Sequence, residues 1–262
     1  MSHSTPSAYL ERLFGLHGKT AIVIGGTGVL GGTICDALAR AGAFVYVVGS
    51  NQDAGQAVVD RWQNQACFFK ADASKRSDLE ALVEHLQTHG RNADILVNGA
   101  GVNSPTPFLE ITDEEWDRII RVNLTAVRIA CQVFGAYMLK QQTAGSIINV
   151  ASLSAITPLS RVFSYSATKA AVLNLTQNLA REWAPKGIRV NALSPGFFPA
   201  EQNRKVLTAD RVEKIMGHTP MARFGTPDEL AGGVLLMASN QAGSFLTGAN
   251  IVIDGGFSAM TI

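Results

Sequence analysis

The sequence predicts a single α/β domain: a doubly wound parallel sheet with helices on both faces, giving three layers, α/β/α. Three observations carry this expectation. Apolar strand-like runs alternate with segments of helical period along the chain. The runs are continuously apolar, as strands covered on both faces are. No Pro/Gly/Ser-rich linker divides the 262 residues into two units.

Residues 20–24 are β-branched and apolar, glycines follow, and 34–41 read as helix. Further strands are expected at 44–48, 67–70, 95–97, 146–150, 188–193 and 250–253. Residues 77–88 carry Leu79, Leu82, Val83 and Leu86 at helical spacing. Thr112 and Glu115 read as a capping box opening a helix near 114–122, and long helices are expected at 126–140 and 164–183. Thr226, Pro227 and Glu229 combine a capping residue, a proline at the first helical position and a returning acid. Residues 197–221 interrupt the alternation. An insertion after a strand's carboxyl end lies beside the ligand crevice in this architecture, so the segment is expected to be a substrate lid.

Composition narrows the function classes. Hydrophobic residues make up 47% and charged residues 16%, enough for a large core, and the net charge of +1 points to no nucleic-acid partner. No run approaches the ~20 apolar residues of a membrane span. The N-terminus has no apolar stretch of signal-peptide length, so a cytoplasmic protein is expected. Cys35, Cys67 and Cys131 fit neither a disulfide framework nor a zinc site and read as buried thiols. His85 and His89 stand at i, i+4, as a zinc pair does, but lack a third ligand; that face reads as solvated and no metal is expected. Trp62, Trp116 and Trp183 read as packing residues.

Gly26-Thr27-Gly28-Val29-Leu30-Gly31 is a G-x-G-x-x-G that follows a strand and opens a helix. Glycines there let backbone approach a pyrophosphate, and the helix N-terminus favours its charge. An acid at the end of the second strand would grip an adenosine ribose and repel a 2′-phosphate. That strand ends Val48-Gly49-Ser50-Asn51, with Asp53 slightly late and no arginine. The missing repulsion leans towards NADP over NAD, with Ser50 and Asn51 as phosphate hydrogen-bonding groups. Tyr165 and Lys169 stand at i, i+4 and share a helix face. A neighbouring ammonium favours the phenolate and would bring a phenol of pKa ~10 towards acid/base use. Ser152 follows the end of a strand, Asn123 lies in Arg121-Val122-Asn123-Leu124, and Asn98-Gly99-Ala100-Gly101 follows another strand.

With these motifs in this order, the chain resembles the short-chain dehydrogenase/reductase family from Gly18 to Gly256, which implies a Rossmann-like fold and an NAD(P)-dependent oxidoreductase. The resemblance implies that Tyr165 is the acid/base, that Lys169 lowers its pKa and binds the nicotinamide ribose, and that Ser152 hydrogen-bonds the substrate oxygen. It implies that Asn123 holds a water linking Lys169 to solvent. For the cofactor it implies Gly25, Thr27, Gly28, Val29, Leu30 and Gly31 at the phosphates, Ser50 and Asn51 at the ribose, and Asp72 and Ala73 at the adenine. Asn98, Gly99 and Ala100 would support the cofactor side of the sheet, and Pro195, Gly196 and Phe198 would meet the nicotinamide. The chain departs from the pattern at Ile24, Val29, Gly99 and Ala200, where Thr, Gly, Asn and Thr are usual.

The substrate is expected to be a small hydroxy or keto compound: a sugar acid, a polyol or a similar molecule. The segments 157–161, 194–204 and 255–259 are similar to D-mannonate oxidoreductases of the family. Arg161 and Arg204 flank the expected pocket, either as partners for a substrate carboxylate or as solvated loop residues. Helices 126–140 and 164–183 have more apolar faces than one sheet covers, and the resemblance implies a homotetramer. Two other readings remain open: a reductase of 3-ketoacyl thioesters, which would want a basic docking patch where Arg128 alone offers support, and a non-catalytic dinucleotide-sensing regulator, which would have no need of a tuned phenol.

Overall fold

A computed structural model describes residues 5–142, 144–198 and 208–260. Seven strands form one parallel sheet: β1 (Thr20–Ile24), β2 (Phe44–Gly49), β3 (Ala66–Lys70), β4 (Ile95–Asn98), β5 (Ser146–Val150), β6 (Arg189–Pro195) and β7 (Asn250–Ile253). Their spatial order is β3-β2-β1-β4-β5-β6-β7. The winding reverses between β1 and β4, where Ile24 pairs with Asn98. A crevice opens at such a switch point, outside the carboxyl ends of the strands.

The helices are α1 (Pro6–Phe14), α2 (Val29–Arg40), α3 (Gln52–Val59), α4 (Arg76–Thr88), α5 (Asp113–Ile120), α6 (Ala126–Gln141), α7 (Phe163–Trp183), α8 (Ala209–Gly217) and α9 (Ala231–Ala238). The strands serve two apolar layers at once. Ile22 and Ile24 of β1 pack with Leu79, Phe134 and Val172 of α4, α6 and α7. Ala21 and Val23, one residue out of phase, pack with Ile34, Leu38 and Val234 of α2 and α9. All five residues of β1 are therefore buried, which accounts for its unbroken apolar run.

Several expectations need correction. α1, α3 and α8 were not expected, and α8 lies inside the stretch read as an interruption. The helix after Thr226 begins as a 3₁₀ turn, Pro227–Leu230, with its capping box closed in both directions. At Thr112 only half a box forms: its hydroxyl accepts from the Glu115 N–H, while the Glu115 carboxylate accepts from the Thr106 hydroxyl at 2.8 Å. α5 and α6 are joined without a break by a π-helical turn, Arg121–Thr125. The resulting helix, Asp113–Gln141, is long and apolar enough to cross a membrane by length and composition, yet 56% of its apolar window is buried, as in a core helix. His85 does not stand free on its face: its ring packs edge-on against Tyr46 and Phe69 and stacks on His89. Among the described residues no group of three potential metal ligands occurs. The three cysteines are free thiols.

Candidate active site

A cleft of ≈ 520 Å³ runs over the switch point, walled by Gly25, Gly28, Val29, Leu30, Gly31, Gly99, Ser152, Tyr165, Lys169, Gly196 and Phe198 among others. It adjoins a second hollow of ≈ 460 Å³ walled by Thr27, Ser50, Asp72, Ala73 and Ala100. The two share Gly25, Gly28, Gly99, Gly101 and Val102, so they form one trench.

The trench floor is glycine for steric reasons. Gly25 has φ +80°, and a Cβ there would lie 2.5 Å from the Ala100 nitrogen. A Cβ on Gly31 would lie 2.1 Å from the Gly25 carbonyl oxygen. The turn from β1 can therefore enter α2 only with the bare backbone, which brings the unpaired first-turn N–H groups of α2 up to the trench. This cradle, open along its length, fits an extended dinucleotide with its pyrophosphate at the α2 N-terminus. Asp72 walls the second hollow, and its carboxylate accepts from the Ser74 N–H and hydroxyl at 3.0 and 2.8 Å, which fixes its direction and lowers its pKa.

Four of the expected residues are placed apart from the walls. Asn51 spends its side-chain oxygen capping α3, accepting from the Ala54 N–H at 3.1 Å. Pro195 is buried at the end of β6, one residue before Gly196. Asn98 is buried beneath the trench and donates to Asn149 at 2.8 Å; Asn149 in turn donates to Thr176 at 2.9 Å. This buried polar chain ties β4 to β5 and to α7. Asn123, fully buried within the π turn, clasps the loop after β4: it accepts from the Val102 N–H and donates to the Val102 carbonyl, both at 2.8 Å.

At the reaction end, β5 delivers Ser152 just past its carboxyl edge, and the first turns of α7 deliver Tyr165 and Lys169. The Ser152 oxygen accepts from the Ser154 N–H and from the Ser154 hydroxyl, each at 3.1 Å, leaving its own proton to donate. The Lys169 ammonium donates to the Val150 carbonyl at 2.6 Å and lies 5.5 Å from the Tyr165 ring centroid. Gly101 opens the space beside it: a Cβ there would lie 3.5 Å from Asn123 Oδ1 and 3.6 Å from Lys169 Nζ.

Burial moves both titrating groups away from charge. It lowers Lys169 to about 8, and it raises Tyr165 against the opposing pull of a Ser152 hydrogen bond. The lowering of the phenol expected from Lys169 is not what the chain alone shows, because desolvation is the larger effect at this depth. The arrangement can hold a carbonyl or hydroxyl oxygen between two hydroxyl donors and pass it a proton.

Arg161 is exposed, with φ 58°, and is absent from the cleft walls. Ala200 and Arg204 lie outside the described residues. Besides Lys169, the cation among the described residues that walls the cleft is Arg211, on the first turn of α8. No sequence motif marks it; only the capping pattern at Thr208 could have placed it on a helix.

The sequence profile described as enoyl-(acyl carrier protein) reductase matches residues 28–258. The chain is 36% identical to an uncharacterized oxidoreductase, UxuB, of Bacillus subtilis (strain 168), over 93% of this chain and 96% of the relative. It is 38% identical to the galactitol 2-dehydrogenase of Rhizobium johnstonii, over 95% and 98% of the two chains. The crystal structure of a gluconate 5-dehydrogenase from Burkholderia cenocepacia J2315, in complex with NADP and tartrate, superimposes with a TM-score of 0.90 at 30% identity, covering 96% of this chain and all of that one.

Proposed function

The chain belongs to the short-chain dehydrogenase/reductase family, an NAD(P)-dependent oxidoreductase acting on CH–OH groups, and from that premise we propose that it interconverts a secondary alcohol and a ketone in a sugar acid or polyol. The observation that carries this reading is the convergence of Ser152, Tyr165 and Lys169 on one wall of the glycine-floored trench. Tyr165 is the acid/base. In the reducing direction its phenol gives a proton to the substrate oxygen, and in the oxidising direction its phenolate takes one. The bound nicotinamide supplies the hydride acceptor or donor.

Ser152 donates its hydroxyl proton to the same oxygen and stabilises negative charge as it develops there. Lys169, held by the Val150 carbonyl, keeps further donors for the nicotinamide ribose and sets positive charge behind Tyr165. Asn123 positions Val102 and borders the small space beside the Lys169 ammonium, through which a proton passes to solvent. NADP is the favoured cofactor, because no carboxylate stands at Ser50 to repel a 2′-phosphate. Of the stretch 197–221, read as a substrate lid, Phe197, Phe198 and Arg211 border the cleft and residues 199–207 lie outside the described residues; the enzyme works in the cytoplasm as a homotetramer.

Replacing Tyr165 by Phe tests the assignment. Turnover of polyols and aldonates with NAD or NADP is expected to fall by ~10²–10⁴-fold while cofactor affinity is kept. A Tyr165→Phe enzyme with undiminished kcat would refute the role.

A further inference from the structure

The walls of the reaction end are lopsided in charge. The described residues lining the cleft around Ser152 and Tyr165 include two cations, Lys169 and Arg211, and no carboxylate. Lys169 is committed to the Val150 carbonyl. The Arg211 backbone N–H is bonded to the Thr208 cap, but its guanidinium has no ion pair among the described residues. The nearest acid along α8, Asp210, is taken by Lys214 at 2.9 Å. Apolar side chains, Leu159, Val162, Phe197 and Phe198 among them, line the same cleft. A guanidinium with no ion pair among the described residues, on the wall of a cleft, is a strong bidentate donor to a carboxylate.

We propose that Arg211 is the specificity-determining residue of this site, binding the carboxylate of a hydroxy acid so that aldonate-type substrates are preferred over neutral polyols. The inference rests on the sugar acid or polyol reading above and narrows it to the acid. Ser152 and Tyr165 hold the reacting oxygen and Arg211 holds the anionic end, so the substrate is gripped at both ends. A neutral polyol offers the guanidinium no carboxylate and forfeits that contact.

The test compares an aldonate with the alditol of the same carbon skeleton, using wild-type enzyme, Arg211→Met and Arg211→Lys. Arg211→Met is expected to raise KM for the aldonate by ~10–100-fold with a smaller change in kcat, since charge-assisted pairs are worth roughly 1.5–3 kcal/mol. The alditol should shift less than threefold, and Arg211→Lys should recover part of the aldonate's affinity. Cofactor affinity is measured without substrate. Equal losses on both substrates, or weakened cofactor binding alone, would overturn the proposal; the latter would put the guanidinium on the pyrophosphate. Unchanged aldonate kinetics in Arg211→Met would remove this inference and leave the broader function standing. A wild-type enzyme that accepts neither compound and reduces a different carbonyl would remove both.

Discussion

At the level of single residues, the site's chemistry turns on two groups that burial has pushed towards neutrality. Lys169 is lowered to about 8, within reach of neutral pH, and Tyr165 is raised above its ordinary value. A protonated phenol at neutral pH is the right form for donating to a ketone. Oxidation needs the phenolate, so its rate should climb on the alkaline side, and the apparent pKa of that climb belongs to the Tyr165–Lys169 pair rather than to either residue. Removing the ammonium removes the charge that favours the phenolate. In Lys169→Met the alkaline limb of kcat/KM for alcohol oxidation is therefore expected to move to higher pH by about one unit or more, since one unit corresponds to only ~1.4 kcal/mol. A pH–rate profile of the variant whose limb stays in place would show that Lys169 does not act on the phenol. These residues were legible in the sequence because an i, i+4 pair on a helix and a serine after a strand are local patterns. Arg211 was not, because its position depends on the path of the chain after β6, which no periodicity encodes.

At the level of elements, the glycine turn couples a steric requirement to ligand binding. Gly31 lies in the first turn of α2, and a methyl group there meets the Gly25 carbonyl oxygen at 2.1 Å. Neither partner can yield, since both are backbone. Gly31→Ala should tilt α2 away from β1, lower stability by roughly 1–3 kcal/mol, as overpacking does, and weaken cofactor binding as well. Thermal unfolding and a cofactor titration read the two effects, and a variant with unchanged Tm and affinity would mean that the turn has slack the geometry denies. Sequence signals for elements were uneven in the same way. Thr226 and Thr112 carry the same capping-box signature, yet only Thr226 closes it, because Glu115 finds Thr106 across the preceding loop. The π turn at Arg121–Thr125 left no trace in the pattern, although it is the turn that holds the buried Asn123. α1 and α8 each have a capping threonine, Thr5 and Thr208, and an amphipathic pattern, but at nine residues each, with no buried side chain in α1 and only Ile215 buried in α8, they offer too short a run to stand out in the sequence.

At the level of the whole molecule, the doubly wound parallel architecture followed from strand–helix alternation, while the strand order came from the structure. The surface was not readable from the sequence, because exposure is set by which helices flank each other. Large apolar side chains are exposed on α1, at Tyr9 and Leu10, at Val29, Ile156 and Met221, and in two further regions. One gathers Phe108, Leu109, Trp116 and Phe163 near α5 and the start of α7, with the rings of Phe108 and Phe163 5.3 Å apart and Leu109 96% exposed. Exposed Ala167 and Ala170 follow on α7, small enough for a second helix to approach closely. The other is at the far edge of the sheet, where fully exposed Phe245 precedes the half-covered edge strand β7. Apolar surface and an open strand edge both invite association. Were each patch to pair with its own copy across a two-fold axis, the two interfaces would close into a tetramer of D2 symmetry. Sedimentation should therefore give a single species of about four times the chain mass of 27.9 kDa. Phe163→Glu and Phe245→Glu should each split it to dimers by leaving one interface intact, and the double variant should run as a monomer with the secondary structure of the wild type. A wild-type protein that sediments as a monomer at micromolar concentration would show that neither patch is an interface between copies of this chain.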